Sequence, residues 1–259
     1  MDALSLWTSQ HALALLAVVL ILALLAGDLG WRRARRRRLA ATGRNGYLAL
    51  RPGTAAILLV LLAALFGLLA WAVWTQTALV RFDTELAQHL RERLSPGVLQ
   101  PFDVVTQLGD PVLIALAAGV VALVLALRRR WRLFLPWCIA LGGTAGSGHF
   151  VKQLVQRPRP FGGHGFTVET GFSFPSGHAA GSMVFFGLLA YLLLRLWPPP
   201  RHRDTVAAAV ALITIVGFSR VLLQAHYLSD VLAGYALGGF WLIIGIALGE
   251  LLRRGAQAR

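Results

Sequence analysis

The sequence predicts an all-α membrane protein, a polytopic helical bundle, and its composition and segment lengths both support this fold class. Of the 259 residues, 57% are apolar and 14% are charged, and the mean hydropathy is +0.65, a combination that soluble domains of this length seldom show. Seven segments are long and apolar enough to cross a hydrocarbon core of about 30 Å. They are residues 12–30, 54–74, 111–127, 133–150, 178–196, 205–222 and 230–252.

Two of these segments differ from a plain apolar span. Residues 133–150 contain Pro136 and the run GGTAGSG, whose small residues favour close packing between helices. The first segment, 12–30, has no basic residues before it and a run of arginines after it. We therefore expect a retained transmembrane helix there and not a cleaved signal peptide, and about seven spans in total.

The basic residues indicate the topology. The formal net charge is +14, but the cations occur in short clusters between apolar runs, which argues against a nucleic-acid-binding surface. The polar stretches between and after the apolar segments fall into two alternating sets. The set that begins with the stretch after the first segment holds 18 of the 25 Lys and Arg residues, and the other set holds 7. Because loops rich in positive charge stay in the cytoplasm, the N-terminus is predicted outside and the C-terminus inside. Cys138 is the single cysteine, which excludes an intrachain disulfide and a cysteine-based metal cage.

The connector between the second and third segments has an amphipathic pattern. Within RFDTELAQHLRERL, the residues Phe82, Leu86, Leu90 and Leu94 recur every four positions and form a narrow apolar stripe of helical period. Two interpretations are open: a helix lying on the outer membrane surface, or a solvated connecting helix.

Polar residues next to helix ends form three further segments, and the first is HFVKQLVQRPRP, residues 149–160. It contains Lys152, the only lysine in a chain with 24 arginines, and Arg159 seven positions later. The prolines of this segment end the helix. A compact ammonium group at a binding site would explain the lysine, but basic side chains that merely reach the membrane interface would explain the segment equally well.

The second polar segment is FSFPSGHAAGSM, residues 172–183. Its PSGH turn opens directly into an apolar helix, so the N–H groups of residues 176–178 are helix-start donors, which suit an anion. Ser176 adds a hydroxyl, and His178 adds a group that titrates near neutral pH. The alternative is an ordinary helix cap with an incidental histidine.

The third polar segment is SRVLLQAHYLSD, residues 219–230. Arg220 ends one apolar segment, while His226 and Asp230 begin the next and are four residues apart, which predicts that they share one helical face. A carboxylate there can accept the imidazole N–H and leave the other ring nitrogen as a nucleophile or base. A buried structural pair is the alternative, but ionisable residues within a membrane are by default functional.

By the predicted topology, all three polar segments fall on the same outer face. Together they supply three cations, helix-start amides, a hydroxyl, two histidines and a carboxylate. This set suits the binding of a phosphate dianion and its transfer by a nucleophile and a proton donor.

The spacing within these segments identifies a family. The patterns are K-x6-RP (Lys152, Arg159, Pro160), PSGH (Pro175 to His178) and SR-x5-H-x3-D (Ser219, Arg220, His226, Asp230). All three occur in order, and over roughly residues 54–252 the chain resembles the type 2 phosphatidic acid phosphatase superfamily, which also includes vanadium haloperoxidases.

The resemblance implies a metal-independent phosphatase that works through a phosphohistidine, with no cofactor. His226 would attack phosphorus, Asp230 would orient and polarise it, and His178 would protonate the leaving oxygen and later activate water. The phosphoryl oxygens would be held by Lys152, Arg159, Ser176, Gly177 and Arg220. Arg157 lacks the family spacing and is expected to be dispensable, and His149 is among five histidines expected to be incidental.

The resemblance also implies a division of the chain. Residues 54–252 would form a six-helix phosphatase domain, preceded by an extra transmembrane helix with an arginine-rich cytoplasmic loop (1–53) and followed by a cytoplasmic tail (253–259). The resemblance assigns no role to the extra helix.

An active site among helices at the outer surface favours a lipid substrate. The predicted location is a plasma membrane, which in a bacterium is the inner membrane. Candidates are an isoprenyl diphosphate such as undecaprenyl diphosphate, phosphatidic acid and phosphatidylglycerol phosphate. The same residues would serve phosphate transfer to a lipid acceptor. An anion transporter is less favoured because no second cationic cluster lies along the helices, and a haloperoxidase because those enzymes are soluble. Besides substrate and membrane lipids no partner is predicted, nucleic acid is excluded, and the oligomeric state stays open.

Overall fold

The structure, a computed structural model, describes residues 2–40, 52–160 and 170–254, and in these ranges all regular structure is helical, as predicted. The α-helices are α1 (Asp2–Gln10), α2 (Ala12–Ala40), α3 (Pro52–Trp74), α4 (Ala78–Arg93), α5 (Pro96–Thr106), α6 (Pro111–Leu127), α7 (Trp131–Val155), α8 (Gly177–Leu196), α9 (His202–Leu222) and α10 (Leu228–Arg254). Arg44 and Arg51 of the predicted basic loop, and residues 255–259 of the predicted tail, lie outside the described residues.

Six helical stretches of the described chain are long and apolar enough to cross a membrane. They are Ala12–Arg33, Pro52–Trp74, Pro96–Leu127, Gly177–Leu196, Pro199–Leu222 and Leu228–Arg253. Helix α7, the predicted fourth span, has 25 residues but is not among these six stretches, because its glycines and polar residues lower its hydropathy. The total of seven spans therefore stays a prediction.

Helix α10 lies at the centre of the bundle, packed against α3, α7 and α8. Two glycines allow its close approach to α8: a Cβ at Gly234 would lie 2.6 Å from the Ser176 carbonyl oxygen, and one at Gly238 would lie 2.4 Å from that of Ala180. Contacts this short exclude any side chain there, so α8 and α10 pack almost backbone to backbone. This packing brings the second and third motifs together.

The amphipathic connector forms α4, and its apolar stripe is buried inside the protein. Leu86 and Leu90 are 3% and 1% exposed and lie in a core cluster with residues of α2, α5, α9 and α10. Helix α1 packs on the other side of α4, where the Ser5 hydroxyl donates to Glu85 at 3.1 Å. Both interpretations predicted a helix, which is confirmed, and the structure adds that its apolar stripe packs on protein. The choice between a membrane-surface helix and a solvated connecting helix stays a prediction.

The two ends of the bundle differ in chemistry. Helix α9 begins at the end where Arg203 donates to Asp28 of α2 at 2.8 Å, and it finishes at the other end with Arg220. The three motifs converge at the Arg220 end. The arginine-rich segments 32–36 and 128–132 lie at the opposite end, beside the start of α9 and after α6. This separation agrees with the predicted alternation of charge, while the orientation in the membrane stays a prediction.

Candidate active site

Helix α7 carries Lys152 in its last turn and ends where Gln156 adopts a left-handed conformation with φ of 49°. The chain then turns back past Pro158 and Pro160, which cannot continue a helix. The Lys152 ammonium donates to the Phe172 carbonyl at 2.5 Å. The first motif is thus fastened to the segment that precedes the second.

Arg159 connects the first motif with the third and with the residues that precede the second. Its Nη1 donates to the Ala225 carbonyl at 2.7 Å and lies 3.1 Å from Nε2 of His226. Its Nε donates to the Gly171 carbonyl at 3.1 Å. Because a guanidinium can only donate, Nε2 of His226 must be the unprotonated ring nitrogen, and the proton of the neutral ring belongs on Nδ1.

The second motif opens α8 as predicted, with Ser176 as the cap: its hydroxyl accepts from the Ala179 N–H at 3.4 Å. One detail differs from the prediction. The Ser176 N–H donates to the Asp230 carbonyl at 2.9 Å, so it serves the α8–α10 contact and is not a donor for an anion. His178 lies in the first turn of α8 and is 6% exposed.

His226 precedes its helix, which corrects the prediction that it shares a helical face with Asp230. Helix α10 begins at Leu228, and the Asp230 carboxylate accepts the Tyr227 N–H at 2.9 Å, as a cap does. Nδ1 of His226 lies 3.6 Å from Oδ2 of Asp230, which is beyond hydrogen-bond distance.

Ser173, which sequence reasoning missed, lies between these two groups. Its hydroxyl is 3.4 Å from Nδ1 of His226 and donates to Oδ2 of Asp230. Burial lowers the pKa of His226 to about 4. The nearby cations Arg159 and Arg220 also lower this pKa, whereas Asp230 raises it. The imidazole is therefore neutral at neutral pH, with its lone pair on Nε2.

Arg157 is part of the site, although no pattern in the sequence indicated it. It is 4% exposed, and its Nη1 donates to Asp230 at 2.6 Å while its Nη2 donates to Asp83 of α4 at 2.9 Å. The Ser229 hydroxyl donates to the same Asp83 carboxylate, and the guanidinium stacks 4.1 Å from the Tyr227 ring centroid. The expectation that Arg157 is dispensable conflicts with this geometry, because its buried guanidinium forms ion pairs with two buried carboxylates.

Arg220 is 1% exposed and donates to the Thr106 hydroxyl at 3.0 Å. Thr106 ends α5, just before a short 3-10 turn that leads into α6. In this turn, a Cβ at Gly109 would lie 2.3 Å from Val216 and 3.4 Å from His178. The turn therefore packs tightly under both the third and the second motif.

A cavity of about 340 Å³ opens at the meeting point of the motifs. Five of the eight predicted site residues line it: Lys152, Arg159, Gly177, His178 and His226. The other three, Ser176, Arg220 and Asp230, are buried around it. His149 and Gln153 also line the cavity, so His149 is not incidental in position. Its spacing of three residues from Lys152 on one helix was the signal that could have found it.

No group of three or more His, Cys, Asp or Glu residues that could hold a metal ion occurs in the described parts of the chain.

The fold and this cavity define a class: a helical membrane protein in which two histidines and several cations surround a small polar site near one end of the bundle. Comparison with known sequences identifies the family. The sequence model of the PAP2 superfamily matches residues 131–253, which contain all three motifs. Residues 131–253 therefore match the PAP2 superfamily, as the motifs predicted, and the fold is similar to that of a solved PAP2 type phosphatase.

Curated relatives share this region. Phosphatidylglycerophosphatase B of Bacillus subtilis is 32% identical over 41% of this chain and 53% of the relative. Lipid A 1-phosphatase of Rhizobium etli is 37% identical over 39% of this chain and 38% of the relative. Dolichyldiphosphatase 1 of Homo sapiens is 33% identical over 40% of this chain and 48% of the relative. The matched region thus spans about half or less of these relatives' length.

Among solved structures, the transmembrane PAP2 type phosphatidylglycerolphosphate phosphatase of Bacillus subtilis is similar in fold. The TM-score is 0.64 at 25% sequence identity, and the match covers 76% of this chain and 96% of that one.

Proposed function

We propose that this protein is a membrane lipid phosphatase that transfers phosphate through a phosphohistidine on His226. One observation carries the proposal: His226 presents the lone pair of Nε2 to a cavity lined by cations, while Nδ1 faces Ser173 and Asp230. This arrangement gives a neutral imidazole one protonated and one nucleophilic nitrogen, and it holds the ring in a fixed orientation.

In the first step, phosphate oxygens replace the present partners of the cations. Lys152 donates to a backbone carbonyl, Arg159 donates to a backbone carbonyl and to His226, and both cations line the cavity. A bound phosphoryl group would take over these donors, which frees Nε2 for attack. The helix start at Gly177 and the cation of Arg220 behind it would add further stabilisation of negative charge.

The chemistry then proceeds by two displacements at phosphorus. The Nε2–P bond forms as the bond from phosphorus to the lipid oxygen breaks, and His178 gives its proton to that leaving oxygen. Water next attacks the phosphohistidine, His178 accepts a proton from it, and the N–P bond breaks to release inorganic phosphate. Cations supply the charge stabilisation that Mg²⁺ supplies in other phosphoryl transfers, so the proposed reaction needs no metal.

A lipid substrate suits the surroundings of the cavity. His149 and Gln153 of α7 line it, while the adjacent apolar residues Phe150 and Leu154 are 67% and 57% exposed. A phosphate in the cavity could therefore be joined to an acyl or isoprenyl chain that lies along α7. The three curated relatives described above are named for lipid-linked phosphates, which supports this class of substrate.

A panel of lipid substrates tests the proposal. Purified protein in detergent should release inorganic phosphate from phosphatidic acid, phosphatidylglycerol phosphate or an isoprenyl diphosphate. Rapid quench of labelled substrate should trap acid-labile, base-stable phosphate on the wild type and none on His226→Ala. Transfer of label to an added lipid alcohol without release of phosphate would instead identify a phosphotransferase. Label retained on His226→Ala would refute the assignment of the nucleophile.

A further inference from the structure

At the end of the bundle opposite the phosphate site, α2 and α9 carry a second cluster of charged residues. Asp28 of α2 accepts from Arg203 of α9 at 2.8 Å and pairs with Arg32 one turn further along α2 at 2.6 Å. Arg203 and Arg220 lie 17 positions apart on α9, which places this cluster about 25 Å from the phosphate site along the helix.

A cavity of about 350 Å³ opens at this cluster and is strongly cationic. Its lining is Asp28, Trp31, Arg32, Arg35, Arg36 and Arg203. Four guanidinium groups thus surround one carboxylate, and that carboxylate is already shared between two of them.

An apolar groove of about 400 Å³ adjoins this cavity between α2 and α9, and Asp28, Trp31 and Arg203 line both. The apolar walls of the groove are Ile21, Leu24, Leu25, Val206 and Ala207. One further carboxylate, that of Asp204, also lines it, so the two cavities together hold four arginines and two carboxylates.

The apolar groove and the cationic cavity lie one after the other along α2, in the same order as the acyl chain and the headgroup of a phospholipid. The apolar span of α2 covers Ala12–Arg33, so the groove lies within the hydrocarbon depth. Arg35 and Arg36 lie just beyond the end of that span, at headgroup level. Trp31 is 9% exposed, stands between the two cavities and packs edge-on against His202, so the boundary is fixed by the protein.

We infer that α2 and α9 form a binding site for one anionic phospholipid of the membrane leaflet opposite the phosphate site. One acyl chain occupies the apolar groove, and the phosphate of the headgroup lies among the four arginines. Excess positive charge selects an anionic over a zwitterionic headgroup, because each basic residue near a membrane surface adds attraction for anionic lipid. This inference does not depend on the proposed enzymatic activity.

Native mass spectrometry of detergent-purified protein tests the inference, with phosphatidylglycerol and phosphatidylcholine of identical chains as probes. The wild type should retain one phosphatidylglycerol in preference to phosphatidylcholine. Arg35→Gln/Arg36→Gln should weaken phosphatidylglycerol binding roughly 25-fold, from about 1 kcal/mol for each arginine. Both side chains are exposed, so these substitutions should leave the fold intact.

A matched control removes the same charge from the same end of the molecule. Arg128→Gln/Arg132→Gln changes one exposed residue in the turn after α6 and one exposed residue in the first turn of α7; neither lines the groove, so this variant should keep the wild-type affinity. Equal loss in both double variants would overturn the inference, as would equal affinity of the wild type for the two lipids. Displacement of the lipid by inorganic phosphate would identify a site for the free ion, which also contradicts it.

A photoactivatable phosphatidylglycerol locates the lipid independently of any variant. With the reactive group in the acyl chain, labelled peptides should come from the segments 21–31 of α2 and 203–210 of α9. Labelling confined to α7, α8 or the 223–227 turn would place the lipid at the phosphate site and refute the second site.

Discussion

Arg157 offers the most informative perturbation of the site, because its guanidinium is buried between two carboxylates. Arg157→Ala would leave Asp83 and Asp230, which are 1% and 0% exposed, without their cation. Removal of one partner from a buried ion pair costs about 3–5 kcal/mol, because the remaining charge stays buried without compensation. For a chain of this size that corresponds to a loss of roughly 6–20 °C in melting temperature.

The catalytic rate of Arg157→Ala should fall together with its stability, because Arg157 holds the carboxylate that faces His226. Nη1 of Arg157 contacts Oδ1 of Asp230 at 2.6 Å, while Oδ2 of the same carboxylate faces Ser173 and the imidazole. Release of Oδ1 allows the carboxylate to turn, and a displacement of about 1 Å at a reacting group can cost on the order of 10²-fold in rate. We expect kcat to fall by about this factor while KM changes little.

Arg159→Ala is the matched control, two positions further along the chain. Arg159 is only half-buried and contacts carbonyl oxygens and the imidazole, so its loss leaves no buried carboxylate unpaired. The melting temperature should stay near that of the wild type. The value of kcat/KM should fall roughly 10- to 100-fold, the worth of one hydrogen bond from a charged group.

The two variants are compared by thermal unfolding in detergent and by steady-state release of phosphate. Asp83→Asn/Arg157→Ala completes a double-mutant cycle and should lose less stability than the two single variants together, because it removes both ends of one ion pair. An Arg157→Ala protein with wild-type melting temperature and kcat would show that the buried pair neither stabilises the fold nor positions Asp230.

Three further outcomes follow from the site. Turnover should persist in excess EDTA and be inhibited by vanadate, whose bipyramidal complex resembles the transition state for phosphoryl transfer; activity lost on chelation and restored by Mg²⁺ would contradict the mechanism. Ser173→Ala removes the hydroxyl between His226 and Asp230, and kcat should fall about fivefold to tenfold, the worth of one hydrogen bond; an unchanged kcat would remove Ser173 from the site. In a Cys138→Ala background, Gln88→Cys should react with a membrane-impermeant maleimide in intact cells and Arg128→Cys only after lysis, and the reverse pattern would place the site on the cytoplasmic side.

The helices and the three motifs could be predicted because their signals are local. Apolar runs of about 20 residues predict spans, and short spacings such as that from Lys152 to Arg159 need no knowledge of the rest of the fold. The resemblance to the family rested on the same spacings. The match to the PAP2 superfamily and the helical architecture were accordingly predicted correctly.

The role of Arg157 could not be predicted, because its partners are distant in the sequence. The contact between Arg157 and Asp83 joins residues 74 positions apart, and that between Arg157 and Asp230 joins residues 73 apart. The protein partners of the connector helix could not be predicted for a related reason. Its apolar period was read correctly, but the pattern does not show whether lipid, water or protein covers the stripe.

The position of His226 in a turn, and not on a helix, has a physical consequence for the proposed nucleophile. A side chain in a turn is held less firmly than one in a helix unless the turn is braced by its neighbours. Here Arg159 donates to the Ala225 carbonyl, and the Asp230 carboxylate accepts the Tyr227 N–H, so both residues flanking His226 are fixed. Asp230 is in turn held by Arg157.

Through these contacts, the buried ion pair with α4 supports a catalytic turn between α9 and α10. Asp83 accepts from Arg157 and from the Ser229 hydroxyl, which joins α4 to the first turn of α10. Rigidity at His226 therefore depends on a helix outside the three motifs, and substitutions in α4 should alter catalysis without contacting the substrate.

Asp83→Asn isolates this effect, because it keeps the shape of the side chain and removes only its charge. We expect it to lower kcat more than it raises KM, and an equal effect on substrate binding would argue that α4 contacts the substrate directly.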